Sequence, residues 1–496
     1  MNARELENFT IAKLAPEIRT RKVSPLELSK LFLERIERIN PIIKAYVTVT
    51  ADAALADARK AEAEIAQGRY RGPLHGVPFS IKDNLATQGV RTTAGSKILS
   101  DWIPDFDATV VAKLREAGAI ILGKTNLHEW ALGGTTINPF YGTTRNPWDL
   151  SRIAGGSSGG SAAALAASLC LGSIGTDSAQ SVRNPASMCG VVGLKATYGR
   201  ISQYGTVPGT GAYSCNHTGI MTKNVMDAAI VLEAVAGRDP KDPLSADQPI
   251  ANYGQSVGKS VKGLRVGVLR GYFEEVMTAE VKETFHAALE VFKSLGMEIE
   301  EVTTAHMDLL PAVKVCTSRV ENASAHDRNL RTRSRDYSPQ TRNAYLAALL
   351  VPASAYVMAQ RVRRIICDEF YDLLDRVQLF AVPTVGFPVP TIKDCEEGWL
   401  DIDGKKIRRQ DERGGADSFT TIPFNVTGFP SMSIPCGFSK AATPIGMQIA
   451  AGPFKEELIF SAAHAYEQAT DWHKRRPKMQ HAGSLDVAAG RAIQNF

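Results

Sequence analysis

The chain lacks the features that would place it at once in a ready-made class. Its seven cysteines are an odd number, scattered at 170, 189, 215, 316, 367, 395 and 436, with no Cys-x-x-Cys and no Cys/His ligand spacing. That pattern excludes a disulfide framework and a zinc site as organising devices. Cys170, Cys189 and Cys436 stand among apolar residues and read as small core side chains. A dominant charge is missing as well, since 57 basic residues face 52 acidic ones and leave a net charge of +5. No dense Lys/Arg run interleaved with aromatics occurs, so nucleic acid is not an expected partner. Arg408-Arg409 and Lys474-Arg475-Arg476 read as solvated loop charges. The opening MNARELENFT is charged and has no apolar core, unlike a signal peptide. Apolar runs elsewhere are interrupted by Ser or Pro, short of the ~20 residues a bilayer demands. These absences predict a cytoplasmic protein with no membrane contact. What is present, 44% hydrophobic and 22% charged residues, is the profile of a soluble globular protein.

Along the chain, residues 4–67 read as helical, with Ser24 an N-cap and Pro25 at the first helical position. A β-prone run over 77–81 ends in Lys82-Asp83. Periodicity predicts helices over 108–117, 223–236, 279–295, 307–325, 343–377 and 454–469. It predicts strands over 118–123, 264–268, 298–302, 377–382, 430–435 and 446–450. Residues 239–259 read as a surface connection and 396–415 as a flexible loop. Strands alternating with helices indicate a mixed α/β protein without internal repeats. Residues 1–480 are read as one domain and 481–496 as a weakly ordered tail.

Residues 154–200 carry the chemical signal. Two serine-bearing turns, 155–161 and 175–181, flank an apolar segment over 162–174. Glycines let such turns bring the backbone close to a ligand. The first turn runs into Ala162-Ala163-Ala164-Leu165-Ala166-Ala167, a strong helix former. Free N–H groups at that helix start are therefore expected to face the turn and hold an anion or a developing oxyanion. Two motif matches lead elsewhere. Residues 118–125 satisfy the phosphate-loop pattern, yet the intervening Ala-Ile-Ile-Leu calls for burial rather than a polar cradle. Ser157 and Ser158 each sit in a Gly-x-Ser-x-Gly, but a polar loop over 146–152 precedes them, not the strand a nucleophile elbow requires.

Lys82, Ser157 and Ser181 belong together chemically. A serine hydroxyl is a poor nucleophile until a base takes its proton, and the nine histidines offer no clear Ser-His-Asp arrangement. Lysine serves as a base only when neutral. Exposed, with a pKa near 10.4, it is unprotonated about once in a few thousand at pH 7; burial at the end of an apolar strand lowers that pKa. The plainer alternative is a salt bridge from Lys82 to Asp83.

The block GGSSGGSAAALAA followed by GTDSAQSVRNPASMCGVVGLKATYGR closely resembles the amidase signature family of serine amidohydrolases. The likeness extends from PLHGVP at 73–78 to AYEQATDWH at 465–473, and the spacing of 75 and then 24 residues between Lys82, Ser157 and Ser181 agrees with it. The resemblance implies an α/β fold with a central mixed β-sheet of about eleven strands covered by helices on both sides. It implies Ser181 as the acylated nucleophile, Lys82 as the base, and Ser157, after a cis peptide bond from Gly156, as the proton shuttle. Backbone N–H groups of Ser178, Ala179, Gln180 and Ser181 are the implied oxyanion hole. No metal or organic cofactor is implied; the expected partners are a small-molecule amide and a second copy in a homodimer.

Other residues take supporting parts. Ser158 and Ser161 are expected to cap the Ala-rich helix and brace the site, with Ser158 also counted beside Gln180 as substrate-binding. Asp177 and Arg183 are expected to hold the loop by pairing; Asn126, His128 and Glu129 read as structural, and His217 stays open. One departure stands out, because Ala179-Gln180 replaces the family's usual Gly-Gly. Neither residue suits positive φ, so the loop should keep φ negative while Gln180 lines the acyl pocket. The expected reaction is hydrolysis of an amide, hydrazide, carbamate or aryl amide through an acyl-enzyme. The alternatives are a glutaminase subunit of a tRNA-dependent amidotransferase, which the missing Gly-Gly disfavours, and a non-catalytic binding protein. Specificity is expected to lie in segments 307–325, 356–363 and 396–421.

Overall fold

Short β-prone runs join into one eleven-stranded sheet in the computed structural model, which describes residues 5–411 and 414–479. In chain order the strands are β1 (Tyr46–Val49), β2 (Pro78–Lys82), β3 (Ile120–Thr125), β4 (Gly172–Asp177), β5 (Val192–Lys195), β6 (His217–Thr222), β7 (Arg265–Leu269), β8 (Glu298–Val302), β9 (Leu379–Pro383), β10 (Ser431–Phe438) and β11 (Pro444–Ala451). Their order across the sheet is β1-β3-β2-β4-β6-β5-β10-β11-β9-β7-β8. The triplets β3-β2-β4 and β9-β7-β8 are parallel, and the remaining pairs are antiparallel. Every residue of β2, β3, β4, β5, β6, β9 and β11 is buried. That explains why β3, β9 and β11 carry apolar runs without strict alternation. Helices Gly159–Ala166, Ala279–Ser294 and Glu456–Ala469 pack against the sheet, giving the mixed, helix-flanked sheet that the resemblance implied.

Several expectations need correction. The helix expected over 307–325 is three pieces: Leu310–Lys314, a π-helical turn Val315–Arg319, and Val320–Arg333. The one expected over 343–377 breaks before Pro352, which cannot continue a helix from its interior, and becomes Pro339–Leu349 and Ala353–Leu373 at 91° to one another. The supposed flexible loop over 396–415 contains a hairpin of Trp399–Ile402 with Lys405–Arg408. β1 lies in a stretch expected to be helical. The Ser24 cap is present, its Oγ accepting from the Glu27 N–H at 3.1 Å. The tail expected over 481–496 lies outside the described residues. Among those residues the seven cysteines are free, and no single helix is long and apolar enough to cross a membrane.

Candidate active site

Adjacent parallel strands bring their carboxyl ends to one place, the usual location of a site in a sheet with parallel strands. β2 ends at Lys82 beside the end of β4, with Ile81 opposite Ile174. Lys82 is fully buried. Its Nζ donates to Ser157 Oγ at 2.7 Å and to Thr176 Oγ1 at 2.8 Å. The Asn84 amide donates to the same Thr176 hydroxyl at 3.0 Å and holds it in place. Burial pushes the Lys82 pKa down to about 7, against the opposing charge of Asp177. The Asp83 salt bridge is not formed by Lys82. Successive strand residues face opposite sides, and Asp83 lies 3.6 Å from Lys124 instead.

The peptide bond from Gly156 to Ser157 is cis. The next N–H, of Ser158, donates to the Ser181 carbonyl at 3.2 Å and pins the two serine turns together. The start of helix Gly159–Ala166 is not a free anion site, contrary to expectation. Its Gly159 N–H donates to Thr136 Oγ1 at 3.1 Å and its Gly160 N–H to the Asn126 carbonyl at 3.1 Å. Neither expected serine caps it through its side chain: Ser158 Oγ donates to the Thr176 carbonyl at 3.3 Å, and Ser161 Oγ pairs with Thr125 Oγ1 at 2.7 Å. Ser158 is fully buried and absent from the cavity wall, and its hydroxyl braces the turn.

The free donors are in the second turn. None of the backbone N–H groups of Ser178, Ala179, Gln180 and Ser181 donates to the rest of the described chain, and neither Ala179 nor Gln180 has positive φ. Asp177 anchors this turn by accepting from the Val182 N–H at 3.1 Å. Arg183 grips the same carboxylate through two contacts of 3.0 Å and also reaches Gln448 and Asn425. Burial pushes the Asp177 carboxyl up, but the Arg183 guanidinium more than offsets this and holds it well below the ordinary range. This is the loop-holding pair the sequence suggested.

Ser178 to Ser181 form one wall of a cavity of about 380 Å³, completed by Lys314 and Arg319 of the π-helical region and by Asp417. Of the expected specificity segments, 307–325 and 396–421 reach this wall and 356–363 does not. Ser181 is 7% exposed there, and its hydroxyl makes no hydrogen bond within the described chain. At Gly134 a Cβ would lie 2.1 Å from Asp417 Oδ2 and 2.6 Å from Gln180 Nε2, so any larger residue there would push these two side chains aside. Asn126 ties the Gly142 carbonyl at 2.8 Å, and Glu129 accepts from Ser96 at 3.0 Å. His128 is held neutral, pushed down to about 3 by burial and then by Arg409. His217 Nδ1 faces the Cys215 carbonyl at 2.8 Å. Contacts within the fold engage each of these four. Thr176, Asn84, Thr136 and Asn425 were not singled out by sequence; only Thr176, beside Asp177 in the second turn, carried a local signal.

The arrangement offers an amine with a pKa brought near neutrality, hydrogen-bonded to the hydroxyls of Ser157 and Thr176, beside a turn presenting the Ser181 hydroxyl and four free amides. A model of the amidase family matches residues 27–460. A glutamyl-tRNA(Gln) amidotransferase subunit of Moorella thermoacetica is 38% identical over 96% of this chain and 99% of its own length. A solved structure from work on a vestigial protein complex and the origins of an s-triazine catabolic enzyme superposes with a TM-score of 0.87 at 32% identity, covering 93% of this chain and 98% of that one. The structure of a 6-aminohexanoate cyclic dimer hydrolase gives a TM-score of 0.84 at 29% identity, covering 95% and 99%.

Proposed function

The chain belongs to the amidase signature family, and from that premise we propose that it hydrolyses the C–N bond of a small amide through an acyl-enzyme on Ser181. Neutral Lys82 takes the proton of Ser157 as Ser157 takes that of Ser181, and Ser181 Oγ attacks the amide carbon. The developing oxyanion is received by N–H groups of the 178–181 turn, where loss of a single donor costs about 3–4 kcal/mol of transition-state stabilisation. The proton returns from Lys82 through Ser157 to the leaving nitrogen, the C–N bond breaks, and water repeats the sequence on the acyl-enzyme. Every proton and nucleophile in this scheme comes from the chain, the substrate or water.

The observation that carries this reading is the 2.7 Å hydrogen bond from a fully buried Lys82 to Ser157. A buried lysine near pKa 7 with no carboxylate partner is poorly suited to stability and well suited to proton transfer. A second reading, ammonia release from glutamine on behalf of a partner enzyme, is favoured by the 38% identical relative, which is named as one component of an amidotransferase. Assay of the purified chain alone separates the two. Turnover of simple amides without glutaminase activity, abolished in Ser181→Ala, supports the first. Glutaminase activity that needs added partner proteins supports the second. The non-catalytic alternative has no observation in its favour.

A further inference from the structure

A charge withdrawn from water normally arrives with a partner, because it loses hydration and gains nothing in return. The cavity beside Ser181 departs from that rule. Lys314 and Arg319, both half-buried, line it, and neither makes a hydrogen bond or ion pair within the described chain. The carboxylate on the same wall, Asp417, is committed to Arg409 at 2.6 Å. Burial lowers both unpaired cations, bringing Lys314 to about 8.

A local irregularity puts them on one wall. In an α-helix five residues advance about 500°, which would set positions 314 and 319 about 140° apart. Val315–Arg319 is instead a π-helical turn. Its i→i+5 closure brings residues five apart close to one side, and such turns occur often at functional sites. A second observation points to a ligand independently. Gln180 Oε1, Asn322 Oδ1 and Asp417 Oδ1 are buried without any hydrogen-bond partner, and all three residues line this cavity. Their residues are 7%, 7% and 3% exposed. Acceptors in that condition gain a partner when their side chains turn toward an N–H donor, and the cavity they line is where a ligand would supply one. Gln180 directly precedes Ser181, so one of these acceptors belongs to the residue next to the reacting hydroxyl.

We propose that the substrate is an anionic amide, its carboxylate held by Lys314 and Arg319 and its N–H groups donating to Gln180, Asn322 and Asp417. The proposal rests on the reading of Ser181 as nucleophile and deepens it. Because Asp417 is already neutralised by Arg409, it suits an uncharged N–H better than a substrate ammonium.

The test compares malonamate, succinamate and glutaramate with their neutral twins malonamide, succinamide and glutaramide. The expected result is a preference of about tenfold or more in kcat/KM for at least one monoanion over its diamide, the scale of a charge-assisted contact. Arg319→Gln and Lys314→Gln should each erase most of that ratio, and Arg319→Lys should retain part of it. Two neutralising variants are used so that misfolding of one does not silence the test. Diamides turned over as well as or better than every monoanion would overturn the subsite while leaving hydrolysis by Ser181 intact. If nothing is turned over, calorimetry on Ser181→Ala decides. Binding of a monoanion that Arg319→Gln abolishes supports the subsite and counts against the hydrolytic reading, whereas no binding overturns the subsite.

Discussion

Replacing Lys82 with arginine distinguishes a base from a mere cation. At pH 7 a lysine with its ordinary pKa of 10.5 is neutral in about one molecule in 3,000. With the pKa brought to about 7, about half the molecules are neutral, a gain of roughly three orders of magnitude in usable base. Arginine keeps its proton at every accessible pH, so Lys82→Arg should lower kcat/KM by about 10³ or more. Lys82→Met, which has neither charge nor base, should fall as far. The wild-type profile follows from the same shift. Below the pKa Lys82 is protonated and idle, so log kcat/KM should climb by one per pH unit up to about 7 and then flatten. At pH 5 the rate should stand about 100-fold under the plateau. The assay is initial-rate kinetics on one amide from pH 5 to 9, with the unfolding transition of each variant checked alongside. A flat profile between pH 5 and 8, or Lys82→Arg active within tenfold of wild type, would refute the assignment of Lys82 as base.

Arg183→Ala leaves the Asp177 carboxylate buried and unpaired, so chemical denaturation should show a loss of about 3–5 kcal/mol; a loss below 1 kcal/mol would mean the pair does not hold the nucleophile turn. Gln180→Gly removes a side chain from the cavity wall and should reorder a panel of amides by kcat/KM, whereas an unchanged ranking rules out a part for Gln180 in selectivity. Buried Lys82, Lys124, Lys195 and Lys223 and half-buried Lys314 bind protons less tightly than in the unfolded chain, with burial as the leading cause: Lys82 and Lys223 at about 7, Lys124 and Lys314 at about 8, and Lys195 well below its ordinary value. From pH 7 towards 10.5 the unfolded state therefore holds protons that the fold has released, and stability rises with pH. The denaturant midpoint should be higher at pH 8.5 than at pH 7, and an equal or lower midpoint contradicts those shifts.

The site was legible where its parts are local in sequence. The two serine turns each occupy a handful of residues, and Lys82 announces itself by ending an apolar strand. The supporting contacts were hidden because folding makes them. Asn425 reaches Asp177 from 248 residues away, and Thr136 takes the helix amide that sequence had left free. The residues alone pointed to free N–H groups at the helix start, where Thr136 and Asn126 take them, and only the resemblance pointed to the 178–181 turn, since nothing local says which amides a neighbouring loop will satisfy. In the fold, buried strands with an apolar run, β3, β9 and β11, were found, whereas the equally buried β4, β5 and β6 were missed because Gly, Thr, Ser and His break up their apolar pattern. Short β1 was absorbed into the helical stretch around it. The π-helical turn was invisible to a reading based on 3.6-residue periodicity, and with it went Lys314 and Arg319. Pro352 was a signal present and passed over.

The central claim, covalent catalysis at Ser181 driven through Ser157 by Lys82, is tested most directly by acid-quenching a steady-state reaction with an aryl amide and mapping the peptides by mass spectrometry. The account predicts an acyl group on Ser181 in the wild type, none in Ser181→Ala, and a slowly formed trace in Lys82→Met. Acylation of another residue, or full turnover by Ser181→Ala, would contradict it.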